Sequence, residues 1–563
     1  MNILKRFFPY ILIFVLSIFS FSPILTPGFF PIHDDTQVTR VFEMTNALRD
    51  GMFPVRWSAN LGFGFGYPIF NFYAPFAYYV GAIFNLVISD SLVATKLMMI
   101  IGIVIAGISM FILSNKFFGI KGGILSAILY LYAPYHALNI YVRGDVAEFY
   151  AYVFIPLVFY GLYMIYKENL FRYVIITSVS FCLVIISHNL TALMIAPFVF
   201  IFALILGVKN RKTIVFIILS VILSFMLSAF YFIPTLLEMS YTNVLSQVGG
   251  GADFRDHFVC LNQLWTSQWG FGGSAKGCID GLSYMVGKTH ILFSLISVLL
   301  PLSFLVYKKV KLDLKDKEII FFIVLFLAFS AFSIFLMLEA SRIFWEALKP
   351  MAFFQYPWRF LTILSFTTSF ISGGLIWTIS KFLKGYYLSI ITVVVVALAI
   401  IFNLKFFVPQ TINNKKALDY TKFEKIAWDI SKISSEYMPK GFDKPKQISE
   451  ISNVNSIEKE GVRVLSFDKK TNNINYKLFL DNQSNVIFPL AYFPAWKTKV
   501  NNREVNLIEN KKGVMLNLSK GNNDIQFYYK STQVELISNL ITIAGILSLI
   551  IGIIYSIKRY GKI

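Results

Sequence analysis

The sequence predicts a polytopic α-helical membrane protein with a small β domain near its C-terminus, on three observations. Of 563 residues 56% are hydrophobic and only 15% charged, too apolar for a water-soluble chain of this length. Apolar runs long enough to cross a bilayer, which takes about 20 residues each, recur along the chain. From about residue 408 to 533 the pattern changes to short alternating segments such as "NINYKLFL" and "DIQFYYK", separated by Asn-Asn, Lys-Gly and Gly-Asn pairs, the signature of antiparallel strands.

The elements follow in order. The first apolar run, about 7 to 27, has Lys5 and Arg6 before it and no small-residue cleavage site after it, so it reads as an uncleaved first helix. An elaborate loop, 28–73, comes next. Within it Val38, Val41, Phe42, Thr45 and Leu48 recur at helical spacing, predicting an amphipathic helix from Thr36 to Asp50 that lies on the membrane surface and stops at Gly51. Asp34, three residues before Gln37, has capping-box spacing, so "HDD" either starts this helix or supplies chemistry. The run Ala74 to Ile88 is too short to cross and reads as a re-entrant or interfacial segment. Eleven further runs, from about 93 to 113 through about 534 to 557, bring the spans to twelve. The domain division is 1–407 for the membrane body, with an outer loop at 238–288, then 408–533 for the β-rich domain and 534–563 for the last helix and basic tail. Residues 412–450 read as a short helical linker.

The net charge of +20 reflects topology, with no nucleic-acid partner, because many of the Lys and Arg punctuate the apolar runs. If 74–88 does not cross, the clusters at Lys116 and Lys121, Lys167 and Arg172, Lys209 to Lys212, Lys308 to Lys317, Lys381 and Lys384, and Lys558 and Arg559 all fall in the cytoplasm. Both termini are then inside, and the β domain is extracytoplasmic. Three cysteines exclude a disulfide scaffold or a Cys-rich metal site. Cys182 reads as packing, whereas Cys260 and Cys278 share one outer loop and could pair there.

Ionisable groups beside membrane spans are costly and therefore candidates for function. Here they gather on the outer face: His33, Asp34, Asp35, Lys96, His136, Arg143, Asp145, Glu148, His188, Glu238, Glu339, Arg342 and Arg359. Each has a plainer reading too. Lys96 and Arg359 lie near span ends, where long basic side chains reach the interface without any further role. Arg143 and Glu148 flank one turn and could simply pair, and His188 could be a polar hinge. "GFGFGYP" lacks the preceding strand and following Lys-Ser of a phosphate loop.

On these residues the chain resembles the GT-C class of integral membrane glycosyltransferases, in which an acidic residue of the first outer loop is followed by a Pro-aromatic segment and a basic residue. Here these are Asp34 or Asp35, "YPIFNFYAPFAYY" and Lys96. More narrowly, "HDD", "VRW", "GFGYPIFNFYAP", "VRGDVAEF", "SHNLTAL" and "FQYPWRF", taken in order, resemble the membrane family labelled 6-pyruvoyl-tetrahydropterin synthase-related. The soluble synthase of that name needs a three-His zinc site, which nothing in this sequence supplies.

The resemblance implies transfer of a sugar from a polyprenyl-phosphate-linked donor to an envelope glycan or lipid acceptor on the outer face, of the inverting type. Asp34 or Asp35 would act as base, Lys96, Arg143, Arg359 and His188 would hold the donor phosphate, and His33, Arg56, Trp57, Tyr67, Glu148 and Gln355 would support them. Two adjacent carboxylates would also suit a divalent cation, a point the sequence leaves open, and no other cofactor is indicated. Two other readings use the same features: a flippase or transporter of lipid-linked sugars, and a non-catalytic envelope assembly protein.

Overall fold

The computed structural model describes residues 2–560 apart from 248–251, 308–311, 455, 456 and 459. Its longer helices are α1 (Asn2–Leu25), α2 (Gln37–Arg49), α3 (Phe76–Ile88), α4 (Ser91–Leu131), α5 (Val146–Glu168), α6 (Phe171–Ser187) and α7 (Asn189–Lys209). They continue as α8 (Ile214–Leu237), α9 (Lys288–Tyr307), α10 (Leu314–Met337), α11 (Leu361–Ile379), α12 (Gly385–Leu404) and α13 (Gln533–Tyr560). Among the described residues nine helical segments are long and apolar enough to cross a membrane, while α3, α6 and the described part of α9 are shorter apolar helices. The protein is a multi-pass membrane protein.

One of those segments contains two of the predicted runs. Helix α4 breaks at Gly119, whose φ of 69° lies in the left-handed region that glycine tolerates. The chain reverses there: a Cβ placed on Gly123 would meet Asn115 at 3.1 Å, and one on Gly107 would meet the Leu131 side chain at 2.6 Å. Two antiparallel arms therefore pack closely through small residues, as membrane helices do when no water drives them together. With α4 counted as two arms, helices occupy all twelve predicted runs.

Helix α3 has 13 residues, about 20 Å of rise, which is short of the hydrocarbon core. The ends of α1 and α4 show that the chain does not cross between them, since Lys96 near the start of α4 donates from Nζ to the Thr26 carbonyl just beyond α1 at 2.6 Å. The basic residues gather at the opposite end of the bundle. There Lys121 bonds Ser389 Oγ at 2.8 Å, while Lys167 pairs with Glu318 and Lys381 with Asp316, each at 2.5 Å. Residues 308–311 of the Lys308 to Lys317 cluster lie outside the described residues.

Helix α2 forms where the apolar spacing predicts it but does not lie on a surface. Nine of its residues are buried, among them Gln37, Thr39, Arg40 and Glu43 on its polar side. Protein replaces water around them: Thr39 Oγ1 donates to the Tyr420 carbonyl at 2.8 Å, and Glu43 accepts from Ser58 Oγ at 2.6 Å and from Asn60 Nδ2 at 2.9 Å. The capping box is absent as well. Thr36 is the N-cap, without a side-chain bond, and Gln37 Nε2 donates instead to the backbone carbonyls of Asp34 and Gly144.

The β domain consists of β1 (Val462–Lys469), β2 (Asn473–Leu480), β3 (Ser484–Phe488), β4 (Trp496–Val500), β5 (Arg503–Val505), β6 (Ile508–Asn510), β7 (Gly513–Leu518) and β8 (Gly521–Tyr529). These make an antiparallel five-stranded sheet in the order β1-β2-β8-β4-β5 and a three-stranded sheet in the order β3-β7-β6. Alternate residues of β2, Ile474, Tyr476, Leu478 and Leu480, are buried, as a period of two requires, and Tyr476 packs against Phe488 of the other sheet. The domain docks on the first outer loop: Trp57 packs edge-on against Trp496 and beside Phe493, and Ala491 N donates to the Phe65 carbonyl at 3.0 Å. Phe493 and Trp496 of "YFPAW" are thus buried in this seam, not exposed. In the outer loop, Cys260 and Cys278 form a disulfide with Cα atoms 5.5 Å apart.

Candidate functional site

A cavity of about 650 Å³ lies where the first outer loop, the α4–α5 connection, the α6–α7 turn, the 252–287 loop, residues 353–359 and residues 433–437 converge. Its position follows from backbone pairing. His33 N donates to the Val142 carbonyl at 2.9 Å and Asp34 N to the Arg143 carbonyl at 3.0 Å, which fixes "HD" alongside "VR". The turn after Arg143 requires glycine, because Gly144 has φ of +65° and a Cβ there would meet Ile32 at 2.4 Å. Residues 139–143 form a π-helical turn, a distortion common at functional sites, and it ends in Arg143.

Arg143 is held on every side. It pairs with Asp145 at 2.7 Å and Glu148 at 2.9 Å, bonds Asn139 Oδ1, and lies over the Trp358 ring with Cζ 4.8 Å from its centroid. Glu148 is wholly buried and serves as a common anchor, also accepting from Tyr135 and Thr362 and lying 3.5 Å from Arg359 Nε. Arg359 donates from Nη1 to the Phe354 carbonyl at 3.0 Å and to Gln355 Oε1 at 3.3 Å. His188 caps α7, its Nδ1 accepting from Thr191 N at 3.2 Å, so in the neutral ring Nε2 carries the proton. Burial lowers the His188 pKa from 6.5, so at pH 7 the ring is neutral.

Asp34 differs from its neighbours. Among the described residues its carboxylate makes no hydrogen bond or ion pair, although its residue lines the cavity with Arg40, Arg143 and Asp145. Burial, followed by the charge of Asp145, raises its pKa above the ordinary 3.8. For Asp145 burial works in the same direction but Arg143, then His188 and Arg359, outweigh it and hold the group at about 2. Two carboxylates on one cavity are therefore separated in basicity by their partners, the arrangement from which acid and base roles are made.

The structure brings together His33, Asp34, Arg143, His188, Gln355 and Arg359, with Glu148 behind them. Other predicted residues lie elsewhere. Asp35 does not line the cavity and faces the charges of Lys415 and Lys425, so the adjacent carboxylates do not converge on one cation, and no step is drawn through a metal. Among the described residues no three His, Cys, Asp or Glu side chains group as metal ligands. Lys96 is also outside, bound to Thr26. Trp57 belongs to the seam with the β domain, Arg56 is bound to Asn71, the Phe230 carbonyl of α8 and Asn539 of α13, and Tyr67 stacks on Tyr437 behind the cavity wall.

Sequence reasoning missed Arg40, Ser434, Glu436 and Tyr437, all lining the cavity, and did not give Asp145 a role in it. Arg40 is buried, donating to Tyr78 OH at 3.1 Å and Ser434 Oγ at 2.5 Å, with Tyr73 under its guanidinium at 4.2 Å. Among the described residues no carboxylate comes within 4 Å of it. Arg40, unlike Lys96, thus lines a cavity that Asp34 and Glu436 also line. Its position beside Gln37 on α2 was the available signal. Ser434, Glu436 and Tyr437 lie in the stretch read as a linker, and nothing local marks them.

The fold and cavity define a multi-pass helical membrane protein with a charged pocket at one end of its bundle. Residues 70–248 match the profile of a family described as "6-pyruvoyl-tetrahydropterin synthase related domain; membrane protein". An uncharacterized protein of Lactococcus lactis subsp. cremoris (strain MG1363) is 27% identical over 239 residues, covering 40% of this chain and 39% of that protein. The matched stretch thus spans well under half of the curated relative. Among solved structures, arabinofuranosyltransferase AftD from mycobacteria superposes with a TM-score of 0.46 at 11% identity, covering 72% of this chain and 27% of that one. ArnT from Cupriavidus metallidurans bound to undecaprenyl phosphate superposes with a TM-score of 0.30 at 9% identity, covering 66% and 78%. Overlays this loose do not bear on chemistry, which has to come from the cavity's own residues.

Proposed function

We propose that the protein is a membrane glycosyltransferase of the GT-C type that transfers a sugar from a polyprenyl-phosphate-linked donor to a cell-envelope acceptor on the extracytoplasmic face. The observation that carries this reading is the unpartnered Asp34 carboxylate on a cavity shared with Arg40, Arg143 and Arg359. Asp34 accepts the proton of the acceptor hydroxyl as that oxygen attacks the anomeric carbon, and the lipid phosphate leaves from the opposite face with inversion. Arg40 meets the phosphate as its main cation, while Arg143 and Arg359, already neutralised in part by Asp145 and Glu148, contribute directed N–H groups and field. His188 donates from Nε2 to a phosphate or sugar oxygen. A flippase fits less well, since these groups collect at one end of the bundle and do not line a path through it.

Asp34→Asn tests the proposal. Loss of the base lowers transfer by about 10²- to 10⁴-fold, while folding is unimpaired because the lost charge makes no bond and caps no helix. The measurement is sugar transfer in membranes given a polyprenyl-phosphate-sugar, beside a thermal melt. Wild-type transfer by the variant would overturn the assignment of Asp34.

A further inference from the structure

A second cavity, about 630 Å³, lies between the C-terminal turn of α2 and the β1–β2 hairpin. The reaction proposed above does not use it. Its walls are fixed from both sides: Asp50 accepts from Thr471 N at 2.6 Å through its carboxylate and from Asn472 Nδ2 at 3.0 Å through its carbonyl, and Lys469 Nζ donates to the Gly64 carbonyl at 3.1 Å. Ser452 N reaches the Phe63 carbonyl at 2.9 Å, and Glu43 holds Asn60 through both its backbone and its side-chain N–H groups. A space so braced keeps its shape without an occupant.

The lining has a particular chemistry. Phe467 and Phe423 are 38% and 43% exposed, far more than rings in a core, and Phe467 packs on Tyr476 with centroids 4.8 Å apart. Beside these rings stand the Asn46 and Asn60 amides and three cations, Arg49, Lys469 and Lys470, against one acid, Asp50, whose carboxylate is already occupied by Thr471 N. Among the described residues the only aliphatic members are Ala59, Val454 and Pro489, too small a surface for an acyl chain. Aromatic faces accept the C–H face of a pyranose ring, whose hydrogens are weakly positive against the ring's negative face, and amides satisfy its hydroxyls. The surplus of cations selects a saccharide that bears negative charge.

We propose that this cavity binds an anionic glycan chain, one carrying carboxylate or phosphate groups, and holds it as the acceptor of the reaction. Helix α2 connects the two sites: Arg40 lines the first and Asn46 the second, six residues or about 9 Å of helical rise apart. The acceptor role rests on the transferase reading; glycan binding does not.

The test uses the full-length protein in nanodiscs, with hexagalacturonate as the anionic probe and maltohexaose as the neutral one. Hexagalacturonate is expected to bind and maltohexaose to bind more weakly. Phe467→Ala, at an exposed ring, weakens binding about threefold to tenfold, the worth of one aromatic contact. Arg49→Gln with Lys470→Gln, both at exposed positions, removes the preference for the charged probe. Binding is read with no donor present, so failure of the transferase reading is scored separately. Absence of binding by both probes, equal binding of the two, or affinity indifferent to Phe467→Ala and to the double variant in proteins that melt normally would each overturn the proposal.

Discussion

Asp34 meets two requirements that pull in opposite directions. A general base has to be ionised, yet burial and the neighbouring Asp145 raise its pKa above 3.8 and so favour the protonated form. The folded protein therefore holds this proton more tightly than the unfolded chain. The stability this supplies is complete below about 3.8 and is lost as pH rises through the raised value, which leaves at neutral pH an ionised carboxylate whose burial Arg40, Arg143 and Arg359 offset only in part. Asp34→Asn is neutral throughout, so its melting temperature at pH 7 equals or exceeds the parent's, and the gap closes in acid. Thermal melts across that range measure it, and a variant less stable at pH 7 would contradict the account. With Asp34 as the proposed base, the same group is expected to set the acid limb of kcat/KM, since Asp145, held at about 2, is ionised across any practical range. Arg40 lowers the Asp34 pKa, so Arg40→Gln moves that limb to higher pH while weakening donor binding. An unmoved limb would mean that another group titrates.

Elements were legible wherever their pattern is local. Every apolar run became a helix, and strands 473–480 and 521–529 fall where alternation placed them. What the sequence concealed was which surfaces meet. Helix α2 has a genuine polar side, and only the approach of Tyr420, Ser58 and Asn60 shows that protein, not water, covers it. Arg40 and Ser434, 394 residues apart in sequence, could not be paired by periodicity. The site was half visible for the same reason: "HDD", "VRGD", "SHN" and "YPWRF" signalled themselves by placing charge beside apolar runs, while residues 433–437 sit in an unremarkable polar stretch. Helix α3 supports a direct test. Cysteines at Ser89 and Lys116, both exposed, placed in a protein with Cys182→Ala, react with an impermeant maleimide from opposite sides of the membrane. Labelling of the Ser89 site only from the cytoplasmic side would make α3 a crossing helix and reverse every loop after it.

At the scale of the whole molecule the β domain is packed against the first outer loop. Trp57 of the first outer loop is 1% exposed and meets Phe493, Trp496 and Tyr529, so the seam has an aromatic core of its own. Trp57→Ala is expected to cost about 3–5 kcal/mol at this seam, as for other large buried aromatics. The readout is faster proteolysis within 408–460 in intact membranes, together with loss of transfer, while the helical bundle's circular dichroism is unchanged. Proteolysis at the parent rate would show that the domain is held some other way.

The first outer loop is also tied to the start of α13, where Asn71 Nδ2 donates to Glu535 Oε1 at 2.8 Å and Arg56 Nη2 to Asn539 Oδ1 at 2.8 Å. In the order of synthesis this has a consequence. Asp34 emerges early, but the buried guanidinium of Arg56 waits some 480 residues for Asn539, and Arg40 nearly 400 for Ser434. Until residues 433–437 have been made the pocket lacks part of its wall. A ribosome-bound chain short of Ser434 therefore leaves Arg40 without that hydrogen-bond partner, and one short of Asn539 does the same to Arg56.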